Sequence, residues 1–134
     1  MRISVEIQTK HESNALLVVL SDPSFVLPNL FPPIKEVKIS EGKYTCKGKF
    51  LGTPFEMVGN YYSSTEGRIK YVFTINKGGT GNLEFLIEQG KVTLIFDYDG
   101  WFEKISRLFI SRWINDFKKN FEEKVRLKRI ESKI

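Results

Sequence analysis

The chain has 134 residues, 41% of them hydrophobic and 28% charged, with a formal net charge of +5. That length suits one domain spanning residues 1–134, able to bury about two-thirds of its unfolded surface, and no apolar run approaches the roughly 18 residues a bilayer span needs. One cysteine and one histidine exclude an internal disulfide and a Cys/His zinc site within the chain, since structural zinc takes about four ligands.

Ile3, Val5 and Ile7 alternate with Ser4, Glu6 and Gln8, which predicts a half-buried first strand. The same stretch lacks a signal-peptide core, so a cytoplasmic location is expected. From His11 the period changes: Ala15 to Leu20 reads as a short helix stopped by Asp22-Pro23. Ser24 to Leu30 reads as a second short helix or turn, closed by Pro32-Pro33. Both pieces are expected to plug one end of a sheet.

Six further strands follow. Ile34–Ser40 and Tyr44–Leu51 flank Glu41-Gly42, Phe55–Tyr62 and Gly67–Asn76 flank residues 63–66, and Thr80–Glu88 and Lys91–Asp97 flank Gln89-Gly90. Such spacing predicts antiparallel hairpins rather than βαβ units. Alternation places Tyr44, Cys46, Phe50, Phe55, Met57, Tyr61, Ile69, Tyr71, Phe73 and Ile75 on one face, with Leu83, Phe85, Ile87, Val92, Leu94, Phe96 and Tyr98. Lys47, Lys49, Glu56, Asn60, Arg68, Lys70, Asn82, Glu84 and Glu88 occupy the other, wet face. Cys46 is then a small buried hydrophobe rather than a reactive thiol.

Trp101 to Ile134 reads as one helix, about 32 residues and roughly 48 Å long. Its apolar stripe is Trp101, Phe102, Ile105, Leu108, Phe109, Trp113, Phe117, Phe121 and Val125. Residues 103–134 hold ten basic and five acidic side chains, and so the whole of the net charge. A helix of that length lying across a curved sheet leaves room for an internal cavity. The expected class is therefore α+β: a seven-stranded antiparallel sheet curved around a long C-terminal helix, with two short helices between the first two strands.

This order resembles the START/Bet v 1-like superfamily, the helix-grip fold. Leu20-Ser21-Asp22-Pro23-Ser24-Phe25, followed by Leu30-Phe31-Pro32-Pro33-Ile34-Lys35-Glu36-Val37, is similar to the stretch in polyketide-cyclase-like and carbon-monoxide-dehydrogenase-subunit-G-like members where the first helix ends and the second strand begins. The Lys/Glu/Ile-rich composition points to a thermophilic source and a small archaeal branch. The resemblance implies a hydrophobic cavity between sheet and last helix that holds lipids, polyketides or other apolar molecules. Enzymatic members exist without a shared catalytic motif, so the fold alone assigns no activity.

The expected ligand-binding set is Phe55, Met57, Tyr61, Tyr71, Phe73, Phe85, Phe96, Tyr98, Phe109, Arg112, Trp113 and Phe117. The tyrosines offer a ring and a hydroxyl, and Met57 an adaptable wall. Arg112 either reaches a ligand carboxylate as a bidentate donor or pairs with Asp116 at i+4. His11, Ser13 and Asp22 show no triad geometry. Asp97 and Asp99 read as a strand end and turn before the helix. Lys77-Gly78-Gly79-Thr80 lacks the order of a phosphate loop and reads as a hairpin turn.

The function expected from these features is binding or transport of a small hydrophobic or amphipathic ligand (lipid, isoprenoid or polyketide-like). No catalytic residue, metal, cofactor or nucleic-acid partner is assigned. A cyclase- or hydrolase-type enzyme acting on such a ligand, and a protein-interaction module with a filled core, are the alternatives. The basic end of the last helix is a candidate for peripheral membrane contact, and either a monomer or a homodimer is compatible with the sequence.

Overall fold

A computed structural model describes residues 1–134. Its elements are β1 (Arg2–Gln8), α1 (Ser13–Leu20), α2 (Pro23–Leu30), β2 (Ile34–Ser40), β3 (Lys43–Phe50), β4 (Thr53–Ser63), β5 (Arg68–Ile75), β6 (Gly79–Glu88), β7 (Lys91–Gly100) and α3 (Glu103–Ser132). The strands form one antiparallel sheet in the order β1-β7-β6-β5-β4-β3-β2. The chain thus meanders from β2 to β7, and β1 closes onto β7 at the far edge.

The register obeys the alternation read from the sequence. Tyr44 sits opposite Gly59, Cys46 opposite Met57, Tyr71 opposite Leu83 and Phe85 opposite Leu94, all on the face that meets α3. The edge strand β2 carries a bulge: Ile34 pairs with Gly48 and Glu36 with Lys47, leaving Lys35 as the extra residue. The bulge lets Ile34 and Val37, three apart in sequence, share the inner face. The β3–β4 connection is a two-residue turn in which Leu51 (φ 51°) and Gly52 (φ 80°) both take left-handed dihedrals, as the hairpin twist demands.

Both short helices contact the sheet and α3. Asp22 ends α1 and also caps α2, its carboxylate accepting from the Ser24 amide at 2.9 Å, with Pro23 at the first helical position. Leu16, Val19, Leu20, Val26, Leu27 and Leu30 are each within 1% of complete burial. They are part of the main core.

Two expectations are corrected. Asp97 and Asp99 are not a turn: β7 continues to Gly100, Asp99 pairs with Thr80, and Asp97 accepts from Arg2 Nε at 2.9 Å. The last helix begins two residues later than expected, because Phe102 precedes it in a left-handed conformation (φ 54°). That turn also changes the phase of the buried stripe. Ile105 and Leu108 are exposed, while Ser106, Ile110 and Ile114 join Phe117, Phe121 and Val125 in the interior.

Candidate functional site

The inner face divides into a packed half and an open half. In the packed half, Tyr61 stacks on Tyr71 at 5.9 Å, and the chain of rings continues through Phe85, Phe117 and Phe121. Two hydroxyls are committed to main-chain acceptors: Tyr71 donates to the Leu20 carbonyl at 2.7 Å and Tyr44 to the Val72 carbonyl at 2.8 Å. Burial pushes both phenols well above the ordinary tyrosine range, with the neighbouring Cys46 adding for Tyr44 and Asp22 for Tyr71. These tyrosines hold the short helices and adjacent strands in place.

The open half lies under the first turns of α3. Its floor is a row across three strands, Phe73–Gly81–Tyr98, set by the pairings of β5 with β6 and β6 with β7. Gly81 has no side chain to part its neighbours; a Cβ there would come within 2.5 Å of Phe73 Cζ. The rings of Phe73, Phe96 and Tyr98 consequently stack at 6.1–6.4 Å, with interplanar angles of 16–18°. Phe50, Phe55, Trp101 and Trp113 form the outer wall. Phe50 meets Trp113 edge-on at 5.8 Å and Trp101 at 6.2 Å, and Phe55 lies 5.9 Å from Trp101.

These residues enclose a cavity of about 70 Å³ within a recess of about 520 Å³ counted out to its open mouth. Phe31, Pro33, Ile34, Met57, Ile75, Ser106 and Ile110 complete the lining. Only Ser106 and Tyr98 bring hydroxyls. Tyr98 donates to the Trp101 carbonyl at 2.7 Å, and burial, helped by Glu103 and Asp99, raises its phenol to about 12. The lining holds no carboxylate, imidazole, amine or thiol. Nor does the chain contain three or more His, Cys, Asp or Glu side chains placed to hold a metal ion.

Of the twelve expected ligand residues, Phe55, Met57, Phe73, Phe96, Tyr98 and Trp113 come together in this lining. Phe109 is half-buried at the rim, 5.3 Å from the ring of Phe50. Tyr61, Tyr71, Phe85 and Phe117 belong to the packed half. Arg112 is exposed, forms no hydrogen bond or ion pair with Asp116, and lies outside the recess; the changed helix phase turned it outward. The sequence reading did not select Phe31, Pro33, Ile34, Phe50, Ile75, Trp101, Ser106 or Ile110. Phe50 and Ile75 already stood on the inner face by alternation, whereas Ser106 and Ile110 needed the phase of α3.

A second polar cluster marks the far end of α3. Glu122 accepts from the Thr9 hydroxyl and, at 3.1 Å, from the Lys10 amide. The His11 ring lies between the Glu122 carbonyl (3.0 Å from Nε2) and Arg129 Nη1 (3.1 Å from Nδ1). A carbonyl takes a donor and a guanidinium faces an acceptor, an arrangement met when Nε2 donates and Nδ1 accepts. The cluster ties the β1–α1 junction to α3.

A sheet wrapped around one long helix, with an apolar recess between them, defines a helix-grip protein. A family model matches residues 1–134, and the chain has the START/Bet v 1-like fold. A hypothetical protein from Sulfolobus tokodaii is similar over 98% of this chain and 99% of its own, with 24% identity and a TM-score of 0.83. A START superfamily protein from Mycobacterium smegmatis is 12% identical with a TM-score of 0.72, covering 94% and 97% of the two chains. Ginseng major latex-like protein 151 from Panax ginseng is also 12% identical, with a TM-score of 0.59 and coverage of 90% and 96%. At these identities the likeness is one of fold. Among proteins of curated function, none matches the sequence. START/Bet v 1-like proteins bind hydrophobic ligands in general. No helix is long and apolar enough to cross a membrane.

Proposed function

We propose that this chain binds a small, mostly hydrocarbon molecule in the recess between the Phe73–Phe96–Tyr98 floor and the Phe50–Trp101–Trp113 wall. The supporting observation is a mouth-open, almost wholly apolar recess retained where the rest of the inner face is packed shut. Protein interiors close-pack by default, so space persisting between aromatic rings calls for an explanation. The cavity of about 70 Å³ holds only a small group as it stands. A longer chain enters by swinging the half-buried Trp113 and Phe55 outward, and Met57 adapts its wall to the occupant. Ser106 is the polar group free to meet a hydroxyl or ester. Affinity then scales with apolar area removed from water, at about 25 cal/mol per Å² before the cost of association.

The enzyme alternative needs an acid or base in the cavity. The only titratable side chain there is Tyr98, and its hydroxyl is already bonded to the Trp101 carbonyl.

The two tryptophans of the chain, Trp101 and Trp113, both line the recess, so intrinsic fluorescence reads occupancy directly. Titration with farnesol and with a medium-chain fatty acid is expected to give a saturable blue shift. Native mass spectrometry should show one ligand per chain. Ile110→Phe, which fills the recess from α3, should abolish both signals while leaving the fold intact by circular dichroism. A clean unliganded mass and an unshifted spectrum across a lipid and isoprenoid panel would sink the reading in favour of a filled core.

A further inference from the structure

Around the mouth of the recess the protein exposes apolar groups that its fold does not require. Leu51, at the β3–β4 tip, is 57% exposed; Phe102, Ile105 and Leu108, at the start of α3, are 37%, 45% and 77% exposed. They form one neighbourhood. Phe50, next to Leu51, has its ring 6.2 Å from that of Phe102 and 5.3 Å from that of Phe109. Ile105, Leu108 and Arg112 are spaced by three and four residues and so share one flank of the helix, beside Phe109. Leu51 holds a left-handed backbone conformation that asparagine or glycine would take more easily. A leucine there exposes an apolar side chain at a turn that would be satisfied by a polar one.

The charge around this patch is equally one-sided. Lys49, Lys77, Lys104, Arg107 and Arg112 are exposed on the same end of the molecule, where the β3–β4 and β5–β6 tips meet the β7–α3 junction. The Trp101 amide, bonded to the Gly78 carbonyl at 3.2 Å, ties that junction to the β5–β6 tip. None of the five cations has a carboxylate within 4.0 Å. Of the nearby acids, Glu103 and Asp97 are taken up by the Met1 amine and Arg2, leaving Glu56 and Asp99. Exposed leucine, isoleucine and phenylalanine ringed by unpaired lysine and arginine match the surface of a bilayer containing anionic lipid: apolar tips enter the headgroup boundary and cations remain at the phosphates.

We infer that this mouth end docks on anionic membrane surface, with Leu51, Phe102, Ile105 and Leu108 inserted and Lys49, Lys77, Lys104, Arg107 and Arg112 at the headgroups. The docking end is the N-terminal start of α3, opposite the Lys-rich end that the sequence pointed to. It places the mouth of the recess against lipid, yet adsorption itself needs no ligand in the recess.

The test is co-flotation of the full chain with phosphatidylcholine vesicles, with and without phosphatidylglycerol, alongside quenching of Trp101 by brominated lipid. Binding is expected on the anionic vesicles, weakening steeply as salt is raised. Ile105→Ser/Leu108→Ser and Lys104→Glu/Arg112→Glu should each lower the vesicle partition about tenfold or more. Lys118→Ala/Lys119→Ala, on the same helix but away from the patch, should not. All of these positions are exposed, so circular dichroism should show native folds throughout. Failure to float at low salt overturns the inference, as does flotation lost only in the Lys118/Lys119 variant. Light scattering that finds a dimer dissociated by Ile105→Ser/Leu108→Ser would assign the patch to a second copy of the chain instead.

Discussion

Cys46 pairs with Met57 across β3 and β4 and is completely buried, with no exposed surface. Burial raises its thiol from the usual 9.0 to about 12, and Tyr44 and Tyr71 are raised in the same way. The folded protein therefore holds these protons more tightly than the unfolded chain does. Stability from Cys46 is complete below pH 9 and is lost as the pH climbs from there toward 12, because the unfolded state ionises first. Urea midpoints measured from pH 7 upward should be flat to about 9 and then fall, and Cys46→Ala should remove part of that fall; a level profile through pH 10.5 would show that these groups are not shielded from water. The position of Cys46 was legible from simple alternation. The hydroxyl partner of Tyr71 was not: Leu20 lies 51 residues away in sequence, and only the docking of α1 on the sheet brings the two together. That one bond moves Tyr71 from the group of expected ligand contacts to the supports of the fold.

At the scale of elements, every strand and all three helices were foreseeable within a few residues, since their periods and turn residues are local properties. The rotational phase of α3 was not. Its first turns offer two apolar flanks, Ile105–Leu108–Phe109 and Ser106–Ile110–Trp113–Ile114, and periodicity alone cannot choose between them. The choice is made by Gly100 (φ 126°) and Phe102 (φ 54°), which set the direction in which the chain leaves β7. The consequence is measurable. Ile110→Ala should cost about 2–4 kcal/mol, as for other buried large-to-small changes, whereas Leu108→Ala should stay within about 0.5 kcal/mol. Equal losses in thermal or urea unfolding would show that α3 carries the other flank inward. The same phase decides which residues line the recess, which is why Ser106 and Ile110 escaped a reading based on composition and period.

At the scale of the whole molecule, the two ends of the helix–sheet grip do different work. The far end is laced by Glu122 to Thr9 and Lys10, by His11 to Arg129, and by ion pairs of Lys128 with Asp22 and Arg129 with Glu12. The near end is held chiefly by edge-on aromatic contacts around Phe50. The overall architecture followed from the sequence because strand order and one long helix leave few packing solutions. The size of the recess did not, since it depends on how the rings that line it, from Phe50 and Phe73 to Trp101 and Trp113, pack against one another.

The bulge at Lys35 bears on a property of many molecules rather than one. A sheet that does not close into a barrel leaves two rows of unpaired amides and carbonyls, and a straight, regular border of that kind templates the addition of foreign strands. In β2 the supernumerary Lys35 breaks the regular row and puts a charge beside Glu36 and Lys38. Deleting Lys35 would bring Ile34 and Glu36 into unbroken register opposite Gly48 and Lys47, healing the border. The shortened chain should keep its fold yet polymerise at concentrations where the parent stays dispersed, as read by light scattering and thioflavin fluorescence. Lys35→Ala, which discards the charge but keeps the kink, should lie much closer to the parent; if it polymerises just as readily, charge and not geometry is the guard.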